Sequence, residues 1–169
     1  MIKSMIAAAT IGTVSIFSVV QDFQKEMPLP VEICKEDPRL TEVRKALKIL
    51  GRDEKFARDI FVSATTKNIS PLLWVANVEL ESEFKITAKS RKGYKGLTQT
   101  PKAVMKTGFE IGDLVYGACV LDEKIKLAGG DIRLAMQLYK GGRNPAARKE
   151  ADKVFVLYEK LKLKVKEQV

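Results

Sequence analysis

A chain of 169 residues is long enough for one compact domain with a real core and short extras at its ends, and no more. An apolar fraction of 46% beside 30% charged residues excludes global disorder and a membrane protein of many spans. The excess of 30 Lys and Arg over 21 Asp and Glu, a net charge of +9, points to an anionic partner such as nucleic acid, an acidic membrane or an acidic wall polymer.

The chain opens on Met1 and Lys3, followed by a mostly apolar, uncharged run from Ser4 to Val20. A positive start before such a run is the pattern of an export signal, so residues 1–22 are read as a signal peptide or N-terminal membrane anchor. Export would carry Cys34 and Cys119 into an oxidising compartment, where they form either a disulfide or two buried thiols. Residues 23–38 hold Pro28, Pro30 and Pro38 without helical period and read as a linker into a domain over 39–169.

From Leu40, the residues Val43, Ala46, Leu47 and Leu50 fall at helical spacing, and Gly51 stops the run. A second helix is expected from about Asp53, carrying Phe56, Ala57, Ile60 and Phe61. Ser70 and Pro71 supply a capping hydroxyl and a first-turn proline to a third, whose run from Leu72 to Glu81 is apolar almost all round and therefore central. Between Lys85 and Pro101 small, polar and basic residues with Gly93 and Gly96 predict a loop or short irregular hairpin. Three further helices are expected over about Gly112 to Ala128, Asp131 to Tyr139 and Arg148 to Lys166. The predicted class is mainly α.

The absence of His removes His-based dyads, triads and the commonest zinc sites, so acid and base chemistry falls to Glu, Asp, Lys, Tyr or Cys. Three glutamates alternate at the end of the central helix. At 100° per residue, Glu79 and Glu83 share one side, while Glu81 shares the other with Trp74, Asn77 and Val78. A carboxyl group beside apolar surface at a helix C-terminus is pushed toward its protonated form, as a general acid requires. Periodicity alone favours the plainer reading, three solvated glutamates at a fraying helix end. Trp74, inside the apolar run, reads as core rather than a sugar-stacking platform.

The segments that follow decide between these readings. Glu81 to Phe84 reads E-S-x-F; Ala88, Ser90 and Gly93 follow, then Gly96-Leu97-Thr98-Gln99 and Pro101. Further on come Asp113 to Leu121, with Gly117-Ala118, and Leu134-Ala135 leading to Tyr139 and Gly142. This ordered set, over about residues 70–142, resembles the lytic transglycosylases of the lysozyme-like superfamily. The resemblance implies a lysozyme-like helical domain with a small irregular loop or β-hairpin after the catalytic helix. It departs from the family at Tyr94, Thr98 and Lys140, where alanine, methionine and asparagine are common.

By matching position, the resemblance assigns Glu81 as acid and base, Ser82 as a polar neighbour in the cleft, and Gln99 to a substrate-facing turn, with Gly96 and Tyr94 beside it. Tyr139 either hydrogen-bonds near Glu81 or the sugar, or is a core tyrosine with a satisfied hydroxyl. Lys85, Lys89, Arg91, Lys92 and Lys95 surround the loop, where they attract the carboxylates of wall peptide stems or are simply solvated. No acidic residue occurs between Phe84 and Phe109. A two-carboxylate glycosidase would have to draw its second acid from farther away, from Asp113 or Asp131 for example. That gap agrees with the implied reaction, in which one glutamate works alone and the sugar's own 6-hydroxyl attacks, leaving a 1,6-anhydro-muramic end.

The expected partners are therefore peptidoglycan, in the periplasm or cell envelope, and an envelope-spanning secretion or phage apparatus. Neither metal nor cofactor is expected, and nucleic acid explains the charge but none of the motifs. The alternatives are a hydrolytic lysozyme and a catalytically silent peptidoglycan-binding component.

Overall fold

The computed structural model of the chain describes residues 36–100 and 110–168. The apolar start, nearly all of the expected linker, Cys34 and Pro101 lie outside the described residues. Residues 36–169 belong to one compact unit, and the described part is mainly α, with six α-helices and no strand. Among the described residues no helix is long and apolar enough to cross a membrane.

Helix α1 (Pro38–Ile49) starts where the Asp37 carboxylate accepts from the Arg39 backbone N–H at 2.9 Å, and it buries Val43, Ala46 and Leu47. Gly51, at φ 67°, turns the chain after it. The helix expected from Asp53 is instead a short 3₁₀ turn, Glu54–Phe56, capped by Asp53 and running on into α2 (Ala57–Thr65). Here the capping carboxylate fixes a tight first turn before the apolar period takes hold.

Helix α3 (Pro71–Ser82) is the centre of the domain. The Ser70 hydroxyl accepts from Leu73 N–H at 3.5 Å, Pro71 occupies the first turn, and every residue from Pro71 to Val78 is buried. It packs against α1, α2 and the long C-terminal helix α6 (Pro145–Glu167), and this encirclement is why its sequence is apolar on all sides. Trp74 is wholly buried as core; its indole N–H donates to Ser63 Oγ at 3.1 Å, which satisfies its only polar atom.

The remaining helices are α4 (Glu110–Leu127), packed on α2, and α5 (Ile132–Tyr139), packed on α4 and α6. Asp131 caps α5 by accepting from the Arg133 and Leu134 N–H groups. Helix α6 begins three residues before the expected Arg148, because Asn144 accepts from Ala147 N–H and Pro145 follows it in the first turn. Between α3 and α4, residues 88–96 form a hairpin-like ribbon with a single antiparallel bridge, Lys89 to Lys95.

Candidate active site

Helix α3 ends abruptly at its polar tip. Glu83 and Phe84 both take left-handed backbone conformations, at φ 51° and 58°, although neither is glycine. Such residues carry about 1–3 kcal/mol of strain each. Phe84 is driven into the core and meets the Phe56 ring at 5.4 Å, a burial that offsets the strain. The chain therefore reverses immediately past Glu81 and lays the 88–100 loop alongside it.

The three glutamates divide as their spacing requires. Glu79 forms a two-pronged ion pair with Arg52 (2.6 and 2.8 Å), and Glu83 approaches the same guanidinium at 3.7 Å while pairing with Lys85 at 2.8 Å. The Arg52 guanidinium is held above its usual range, first by the Glu79 hydrogen bond. Glu81 stands on the other side and faces a cavity of 340 Å³.

Three stretches build that cavity: Ser90 to Lys92 with Tyr94, Gln99 with Thr100, and Tyr139 to Gly141, with Val120 of α4 behind them. Of the residues singled out in the sequence, Glu81, Gln99, Tyr139 and Tyr94 thus come together. Ser82 does not join them. Its hydroxyl turns inward and donates to the Val78 carbonyl at 3.2 Å, one turn back along α3. Gly96 is buried beneath the loop, where its positive φ of 99° lets its N–H reach Ala88 O and its carbonyl accept from Gln99.

Gln99 is also left-handed, at φ 50°, and its amide nitrogen donates to Ala88 O (3.1 Å) and Gly96 O (2.6 Å). Those two bonds fix the side chain at the cavity wall. The loop is anchored from behind by Asp113 of α4, whose carboxylate accepts from Leu97 N–H (2.5 Å), Thr98 N–H (3.0 Å) and the Thr98 hydroxyl (2.8 Å). Burial pushes the Asp113 carboxyl above its usual value, and the hydrogen bonds from Thr98 and Leu97 pull the other way. Neither Asp113 nor Asp131 lines the cavity, so among the described residues Glu81 is its only carboxylate.

Tyr139 donates to the Thr98 carbonyl at 3.0 Å and sets its ring edge-on to Trp74 at 6.3 Å. Burial of the hydroxyl, then the negative charge of Glu81, raise it well above the ordinary tyrosine range, so it stays protonated. Its hydroxyl is satisfied by the Thr98 carbonyl, as a core tyrosine's is, and its side chain also lines the cavity that Glu81 faces. Asn77, one turn before Glu81, is fully buried beside this hydroxyl, and its amide makes no hydrogen bond of good geometry.

The Glu81 carboxyl meets an ammonium group rather than the apolar surface expected from helical spacing. Lys140 Nζ donates to Glu81 Oε1 at 2.6 Å, with the Lys140 side chain only 8% exposed and that of Glu81 19%. Lys140 is thus the direct partner of the candidate acid. Nothing local foretold the contact, because 59 residues separate the two in the chain. Of the loop's five basic residues, Arg91 and Lys92 line the cavity, while Lys85 turns to Glu83 and Lys89 and Lys95 stand exposed at the bridge.

No family model and no curated protein matches the chain. The chemistry of the site rests on its own geometry. Among the described residues no three acidic or cysteine side chains gather as a metal site requires. Cys119 of α4 is half-buried.

Proposed function

We propose that this protein is an exported peptidoglycan lytic transglycosylase of lysozyme-like fold, acting at the cell envelope. The observation that carries the reading is the meeting of four separated motif segments on one cleft that, among the described residues, contains a single carboxylate, Glu81. Protonated, Glu81 gives its proton to the glycosidic oxygen as the bond to the anomeric carbon breaks. The sugar's 6-hydroxyl then bonds to that carbon, and its proton returns to Glu81, so the acid is restored and no water is consumed. Hydrolysis by a carboxylate pair is disfavoured because no second acid of the described residues faces the cleft. Tyr139 and Asp113 would act at one remove, holding the loop that presents Gln99.

Lys140 favours a second reading, a catalytically silent peptidoglycan-binding component, since its ammonium occupies an oxygen of the cleft's one carboxylate among the described residues. Incubating the full-length protein with purified peptidoglycan and weighing the released fragments separates the two. Anhydro-ended fragments are expected, and Glu81→Gln should lower their release by about 10²–10⁴-fold, the usual worth of a positioned acid and base. Undiminished release by that variant would remove Glu81 from its role. Binding without release by the unmutated protein would select the silent reading.

A further inference from the structure

The buried ammonium of Lys140 creates a requirement that the transglycosylase reading leaves unmet. Lys140 is almost entirely enclosed, and its Nζ meets Glu81 at 2.6 Å. An enclosed ammonium without a counter-ion is strongly unfavourable. Yet Glu81 must be neutral to serve as an acid, and in that state it no longer balances Lys140. Some other anion has to replace it, and the cleft has no second carboxylate among the described residues to offer. An ammonium has three donors, so Lys140 can engage a new acceptor while still touching Glu81. Arg91 and Lys92, exposed on the same cavity, add positive potential that draws an anion inward.

We propose that Lys140 is a specificity-determining residue that reads a free carboxylate carried by the glycan strand beside the scissile bond, exchanging Glu81 for the substrate's own anion. This rests on the transglycosylase reading and adds the substrate class: strands with ionised stems, in preference to strands whose carboxylates are blocked. The resting protein keeps its acid paired with Lys140, and the arriving carboxylate frees it.

The test uses the full-length protein and two preparations of the same peptidoglycan strands, one with free stem carboxylates and one with them converted to methylamides. Dissociation constants and fragment release are measured for both at fixed ionic strength. The unmutated protein should bind the free-carboxylate strands about tenfold more tightly, the equivalent of one modest ionic contact. Glu81→Gln, which copies the neutral acid and leaves Lys140 without its internal partner, should widen that preference. Lys140→Met should abolish it, with the loss visible in KM or Kd for free-carboxylate strands and little change for amidated ones. Equal binding of both strands by the Glu81→Gln protein would overturn the proposal, as would a preference that survives in Lys140→Met, which would assign it to Arg91 and Lys92. An internal proton transfer from Lys140 to Glu81 would give cleavage of both strands alike, and that result also overturns it. A failure of the underlying reading looks different: neither strand is bound or cut by any variant.

Discussion

Asp113 gathers both N–H groups of Leu97 and Thr98 on one carboxylate oxygen and the Thr98 hydroxyl on the other. An asparagine can reproduce this arrangement, its carbonyl taking the two N–H groups and its amide donating to a reoriented hydroxyl. Alanine cannot, and Asp113→Ala should destabilise the fold by about 1–3 kcal/mol because two buried donors lose their acceptor. The pH dependence separates the charge from the shape. Burial raises the folded-state value of Asp113 above its ordinary 3.8, so the folded protein binds its proton more tightly than the unfolded chain. Its favourable contribution is therefore complete below about 3.8 and is lost as pH rises through the folded value. Asp113→Asn lacks this loss. In denaturant titrations between acid and neutral pH, the unmutated protein should lose stability relative to Asp113→Asn as the pH is raised, and a relative gain over that range would refute the sign.

At the scale of elements, α4 and the 88–100 loop fit together through a missing side chain. A Cβ added to Gly117 would stand 2.7 Å from both Cβ and Cγ2 of Thr98 and 2.8 Å from its hydroxyl, far inside contact distance. Gly117→Ala should therefore push the loop off α4, destabilise by about 1–3 kcal/mol as overpacking does, and weaken strand binding through displaced Gln99. Thr98→Ala should not rescue it, because the clash reaches Cβ itself. The same joint explains what could be read in advance. The start of α3 was legible because a capping serine and a first-turn proline are adjacent in sequence, and Glu81, Gln99 and Tyr139 because their motif segments occur in order. The early start of α6 was missed because Asn144 and Pro145 precede any apolar period. Ser82 was assigned to the cleft by position in a motif, whereas its hydroxyl satisfies a helix carbonyl. The Arg52 pair with Glu79 and the Lys140 pair with Glu81 are contacts between distant parts of the chain, and only packing creates them.

Across the whole molecule, the charge of +9 is a general attraction, but its placement makes it directional. Arg91 and Lys92 stand at the cleft that holds Glu81, whereas Lys160 and Lys164 stand exposed on α6 outside the residues that line it. If the net charge alone drew the protein to an acidic polymer, reversing either pair would slow association equally. Placement at the cleft instead predicts that Arg91→Glu with Lys92→Glu slows strand association by about tenfold at low salt, and that Lys160→Glu with Lys164→Glu does so much less. Both pairs are exposed, so folding stability should move by no more than about 0.5 kcal/mol per site. Raising the ionic strength to about 1 M shrinks the screening length to about 3 Å and should erase the kinetic difference, while the contact of the enclosed Lys140 with a bound carboxylate is screened far less. Stopped-flow association across a salt series would therefore resolve two layers of the same charge, an outer one that steers and an inner one that holds, and equal salt slopes for the two reversed pairs would reject the first of them.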